Sequence, residues 1–161
     1  MNGAAVVAEI LKREGVKTLF GYPRNPVIEA AAAANLKPLI ARQERIGLHM
    51  ADALSRLTSR ASIGVFAMQQ GPGTENAFGG IAQAYAESVP MVVIPAGYPR
   101  RQAGLPPNFS ASLNMRNVSK WAECVSFPDQ IPNALRRAFT QARNGRPRPC
   151  VVEIPVDVLA E

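Results

Sequence analysis

Two periods of apolar and polar residues alternate along this chain. Short apolar runs occupy residues 17–20, 38–41, 62–68, 91–95, 122–127 and 149–154. The run at 62–68 lacks alternation, as expected of a strand buried on both faces. Between the runs, apolar residues recur at helical spacing over about residues 4–14, 25–34, 44–57, 75–87 and 128–143. In the third of these helices the predicted apolar face is Ile46, Met50, Ala53, Leu54 and Leu57. In the fourth it is Phe78, Ile81, Ala82 and Tyr85, and in the last it is Ile131, Leu135, Ala138 and Phe139. Residues 96–112 show no period and predict a long functional or mobile loop, with a short helix possible around 113–118. Strands alternating with helices predict an α/β fold: a three-layer α/β/α sandwich with a six-stranded, mainly parallel sheet and right-handed crossovers. Residues 1–161 are expected to form one domain.

Composition narrows the function classes. With 47% hydrophobic residues the chain should pack a core. No apolar run approaches the roughly 20 residues of a membrane helix. The segment from Met1 to Glu9 lacks the basic n-region of a signal peptide, so a cytoplasmic location is expected. The net charge of +6 is scattered, with its densest groups at Arg100-Arg101, Arg136-Arg137 and residues 143–148. No nucleic-acid motif accompanies it, so a solvated basic surface is expected, with an anionic partner second. Cys124 and Cys150 lie in strand-like runs and read as buried, reduced thiols. The single histidine, His49, cannot build a multi-histidine metal site, and no metal site is expected on this chain.

Candidate chemistry lies at the strand-to-helix corners. The corners at Gly21, Glu44, Gly71 and Ala96 fall at the carboxyl ends of the predicted strands, where ligands gather on such sheets. Glu44 begins a helix, and a first-turn carboxylate either only stabilises the helix dipole or does chemistry there. Gly71-Pro72-Gly73 either cradles an anion with backbone N–H groups or is a plain tight turn. Glu75 would repel a nearby phosphate. Gly79 and Gly80 inside a helix cost about 1 kcal/mol each relative to Ala, which close approach of another backbone or a ligand would explain.

Taken in register, these segments resemble a known family. Phe20-Gly21-Tyr22-Pro23, Arg42-Gln43-Glu44 with His49-Met50-Ala51-Asp52, Gly71-Pro72-Gly73-Thr74-Glu75-Asn76 and Gly80-Ile81-Ala82-Gln83-Ala84-Tyr85 carry the likeness. Ser88-Val89-Pro90, Gly145-Arg146-Pro147 and Ile154-Pro155-Val156-Asp157-Val158 complete it. The chain looks like the pyrimidine-binding domain of thiamine-diphosphate enzymes of the acetolactate synthase and pyruvate oxidase group. That resemblance implies that Glu44 hydrogen-bonds N1′ of the cofactor's aminopyrimidine and helps the thiazolium C2 lose its proton. It implies that Pro23, Gly71, Pro72 and Asn76 line the cofactor pocket. His49 matches a position often held by His in the synthases, with packing its first reading and substrate contact its second; Gln102 is a second candidate for the substrate. The resemblance also implies a small 2-oxo acid substrate, a homo-oligomer (dimer or tetramer), and a diphosphate-binding domain on this or another chain. That domain, absent here, would hold Mg²⁺ and the diphosphate.

Departures from the family pattern are informative. Arg24-Asn25 replaces the usual Gly after Gly-Tyr-Pro, and Gln43 replaces the His that often precedes the catalytic Glu. The synthases' Phe-Gln-Glu segment after the fourth strand is replaced by residues 101–109, which places acetolactate formation in question. Without Gly-Asp-Gly the chain should not bind the diphosphate alone. A piece of a longer enzyme is the first expectation, since residues 155–161 fall where the family's next domain begins. A non-catalytic interaction subunit is the alternative.

Overall fold

The computed structural model describes residues 1–161. Six strands form one sheet in the order β2-β1-β3-β4-β6-β5: β1 (Thr18–Gly21), β2 (Lys37–Ile40), β3 (Gly64–Met68), β4 (Met91–Gly97), β5 (Trp121–Cys124) and β6 (Pro149–Pro155). Every neighbouring pair is parallel. The helices are α1 (Gly3–Arg13), α2 (Val27–Ala33), α3 (Glu44–Leu57), α4 (Pro72–Ala86), α5 (Ala111–Asn114), α6 (Ile131–Arg143) and α7 (Val156–Ala160).

The direction of each strand step decides which face its helix covers. Right-handed crossovers send leftward and rightward steps to opposite faces. The steps β1 to β2 and β5 to β6 run one way, and α2 and α6 join α1 over one face. The steps β2 to β3, β3 to β4 and β4 to β5 run the other way, and α3, α4 and α5 cover the opposite face. Two apolar clusters follow, one holding Leu11, Val27, Leu135 and Phe139, the other Leu48, Phe66, Ile81 and Met115. The three-layer α/β/α sandwich is therefore the observed fold, with an all-parallel sheet. The strand order reverses between β1 and β3, so a crevice opens at their carboxyl ends.

Local expectations needed correction in four places. On α3 three of the five residues expected inside are not: Ile46, Met50 and Leu57 are exposed, Ala53 and Leu54 are half-buried with Leu54 packed on the core, and Gly47, Leu48, Ala51 and Ser55 are the buried set. Close approach is the reason. A Cβ on Gly47 would stand 2.5 Å from Phe66 Cε2, and one on Gly64 would stand 1.9 Å from the Ala51 carbonyl oxygen. Only small residues permit that spacing, so bulk misreports the buried side. Buried Ser55 is satisfied there, donating to Pro90 O at 2.7 Å and accepting from Gly64 N at 2.8 Å.

On α4 the helix starts at Pro72, three residues earlier than expected, and Phe78 points outward. Gly80 does meet a neighbour, Leu48, whereas Gly79 faces open space and explains no close contact. Finally, Cys150 is buried but Cys124 is exposed, because β5 is the edge strand and ends there. The predicted loop also carries more order than expected: β4 continues to Gly97, a 3-10 turn spans Arg100–Gln102, and α5 starts at Ala111.

Candidate active site

Gln43 is extended (φ −149°) and hands the chain from the β2 rim into α3, so Glu44 becomes the first helical residue. Its side chain is buried, 6% exposed, beside the reversal of strand order. Helices α3 and α4 are neighbours on one face, which brings the start of α4 against it. Asn76 Nδ2 donates to Glu44 Oε2 at 2.6 Å. Glu44 Oε1 has no protein partner, and the one fully sealed side-chain polar atom that lacks a partner is Arg148 Nε, so Oε1 is not closed off. A carboxylate with one oxygen fixed and the other open can accept a hydrogen bond from a ligand N–H.

Space beside that oxygen comes from a glycine. A Cβ on Gly73 would lie 3.0 Å from Glu44 Oε1 and 2.6 Å from Gln69 Cγ. Gly71 supplies the positive φ (59°) that turns β3 into α4, and a Cβ there would stand 2.4 Å from Tyr98 Oη. Pro72 fills the first helical position, where its missing N–H costs nothing. Thr74 Oγ1 donates to Gln69 O at 3.3 Å and tightens the same turn.

The remaining candidates are placed around this corner. Pro23 is exposed on the loop after β1. His49 is half-buried where α3 meets α4, its Cε1 being 3.5 Å from the position of a Cβ on Gly80. Gln102 sits in the 3-10 turn after β4, and its carbonyl accepts from Asn108 Nδ2 at 3.2 Å. The structure thus joins Glu44, Gly73 and Asn76 in one contact set with Gly71 and Pro72 in the adjoining turn, and leaves Pro23, His49 and Gln102 outside it.

Sequence reasoning placed Gly73 in the corner but not against Glu44, and it missed Tyr98 and the role of Asn25. Gly73 had a signal, its place in a small-residue corner; Tyr98 had none, since its contact with Gly71 depends on tertiary neighbours. Asn25 stands just before α2, and its Oδ1 accepts from Val27 N at 3.0 Å. Its Nδ2 also donates to Met68 O (2.9 Å) and Ile94 O (3.0 Å), stitching the loop after β1 to the end of β3 and the middle of β4. No group of three or more His, Cys, Asp or Glu side chains stands close enough to hold a metal ion.

Residues 1–121 match the family described as thiamine pyrophosphate enzyme, N-terminal TPP binding domain. The chain is 35% identical over 165 residues to the acetolactate synthase isozyme 3 large subunit of Escherichia coli (strain K12), covering 99% of this chain and 28% of that protein. It is 36% identical over 170 residues to the acetolactate synthase large subunit of Parasynechococcus marenigrum (strain WH8102), covering 98% and 27%. With the chloroplastic acetolactate synthase 2 of Nicotiana tabacum it shares 33% over 163 residues, covering 98% and 24%. The chain therefore spans about a quarter of the length of these curated relatives.

Proposed function

This chain belongs to the thiamine pyrophosphate enzymes, as an N-terminal TPP binding domain similar to that of acetolactate synthase large subunits, and from that premise we propose that it is the pyrimidine-binding domain of a carboligase or decarboxylase acting on 2-oxo acids. Glu44 is its catalytic residue. The observation that carries this reading is the open Oε1 of a buried carboxylate whose other oxygen is held by Asn76. The residues fit the pyrimidine half of the cofactor: an acceptor oxygen faces a space that a single Cβ at Gly73 would fill.

When bound, the cofactor supplies a carbon nucleophile for the keto group and a sink for the electrons released with CO₂. This chain's own residues do the rest. Glu44 holds a proton shared with the pyrimidine ring nitrogen, Asn76 fixes the carboxylate plane, and the Gly71–Gly73 corner leaves the ring room. Pro23 and Pro72 border the pocket. Mg²⁺ and the diphosphate are assigned to a diphosphate-binding domain elsewhere in the assembly, which also completes the pocket in a homo-oligomer. Because the synthases' Phe-Gln-Glu segment is replaced, the second carbonyl partner is not assumed to be the synthases' own.

The test is Glu44→Gln in the complete enzyme. Turnover should fall by about a hundredfold or more, the size of a lost proton-transfer group. Activity within about threefold of wild type would be too small a loss for this role.

A further inference from the structure

Tyr98 is the first residue past β4, and its backbone is anchored on both sides. Gly97 before it pairs with Pro155 of β6. Two residues after it, Arg100 donates from its backbone N to Asp157 Oδ1 at 3.2 Å and from its side chain to Asp157 Oδ2 at 2.9 Å. From this fixed point the phenol reaches across to the turn between β3 and α4. Its hydroxyl oxygen stands 2.4 Å, and its Cζ 3.3 Å, from where a Cβ on Gly71 would lie. The ring borders the groove at the carboxyl ends of β4, β5 and β6, while the hydroxyl end rests on the corner that holds Gly71 and Gly73.

A half-buried tyrosine hydroxyl ordinarily finds a hydrogen-bond partner. Tyr98 is half-buried and its hydroxyl has none within the chain. It is not sealed either, because the one sealed side-chain polar atom that lacks a partner is Arg148 Nε. Other polar side chains on this rim are already engaged: Asn25 with Val27 N, Met68 O and Ile94 O, Thr74 with Gln69 O, and Asn76 with Glu44. Gln69 is also unpaired, but its amide ends a flexible chain, whereas Tyr98 carries its hydroxyl on a rigid ring.

Two open atoms at the corner are therefore complementary. Glu44 Oε1 is an acceptor beside Gly73, and Tyr98 Oη is a donor beside Gly71, two residues earlier in the same turn. From an unpaired phenol resting on the Gly71 turn next to an open carboxylate oxygen, we propose that Tyr98 is a further cofactor-binding residue, its O–H donating to an uncharged acceptor atom of the same heterocycle that Glu44 holds. The inference rests on the reading of this corner as the pyrimidine site and adds a second, neutral contact to it. A fixed acceptor and a fixed donor side by side suit an aromatic ring that carries both kinds of nitrogen, and a donor already in place loses little freedom when the ring arrives.

The complete enzyme should be titrated with thiamine diphosphate in the presence of Mg²⁺, by fluorescence or calorimetry, and unfolded by heat without the cofactor. Tyr98→Phe keeps a ring over Gly71 and removes only the O–H. Its Kd for thiamine diphosphate should rise by about fivefold, the scale of one neutral hydrogen bond, while the thermal midpoint of the cofactor-free enzyme stays at the wild-type value. A Tyr98→Phe enzyme with the wild-type Kd overturns the proposal and leaves the role of Glu44 untouched. A higher Kd accompanied by a lowered midpoint assigns the effect to packing and overturns it as well. Conversely, a Glu44→Gln enzyme that keeps its turnover removes the catalytic reading, whereas the loss of affinity in Tyr98→Phe would still stand.

Discussion

At the residue scale, the site depends on what glycine leaves out. Gly73 is the case that bears on the carboxylate, because a methyl there would press both Glu44 Oε1 and Gln69 Cγ. Gln69 has a flexible end and can move. The carboxylate is held by Asn76 and cannot move without losing that bond. Gly73→Ala should therefore lower cofactor affinity in the complete enzyme by about tenfold, equivalent to about 1.4 kcal/mol, while shifting the thermal midpoint by only a degree or two. A fluorescence titration with thiamine diphosphate decides it; unchanged affinity would mean that the space beside Oε1 is not used. Glu44 and Asn76 were both legible before folding, as members of matched motifs. Their 2.6 Å contact was not, since 32 residues and a whole strand separate them.

At the scale of elements, α3 shows how a helix can hide its buried face. Its bulky apolar residues Ile46, Met50 and Leu57 are exposed, and a stripe of small residues is buried. Ser55 ties α3 to the first residue of β3 and to the residue before β4 at once. Removing its hydroxyl leaves Gly64 N–H and Pro90 C=O unsatisfied in a dry place. Ser55→Ala should cost about 1–3 kcal/mol and lower the melting temperature by several degrees, as read by thermal unfolding of the chain. A wild-type midpoint would show that water replaces the hydroxyl. A second element-level tie is Asp157 of α7, which accepts from the backbone and side chain of Arg100 and so anchors the turn after β4. Desolvation pushes the Asp157 carboxyl up, but the Arg100 hydrogen bonds and charge together outweigh it and hold it below its ordinary value. A depressed folded value means that the contribution is present above the ordinary aspartate value, near 4, and is lost as pH falls through the lower one. Urea midpoints of wild type and Asp157→Asn should therefore differ at pH 6, and the difference should narrow as pH falls below about 4. A gap that persists at the lower pH would assign the effect to packing instead.

At the scale of the molecule, chain topology gathers the chemistry. The reversal between β1 and β3 places the loops after β1 and β3 and the start of α3 on one rim, and Asn25 bonds across that rim to β3 and β4. None of the helices is long and apolar enough to cross a membrane. The sequence by itself determined the α/β alternation, the parallel sheet, the corners at strand ends and the motif set that marks the family. Those properties rest on local periodicity and on short segments, which need no knowledge of partners. Only tertiary structure decided which face of α3 is buried, that Gly80 rather than Gly79 meets a neighbour, and that Asn76 holds Glu44. Those depend on distances between segments far apart in the chain, where close packing lets small residues replace large ones and lets each charge choose its partner.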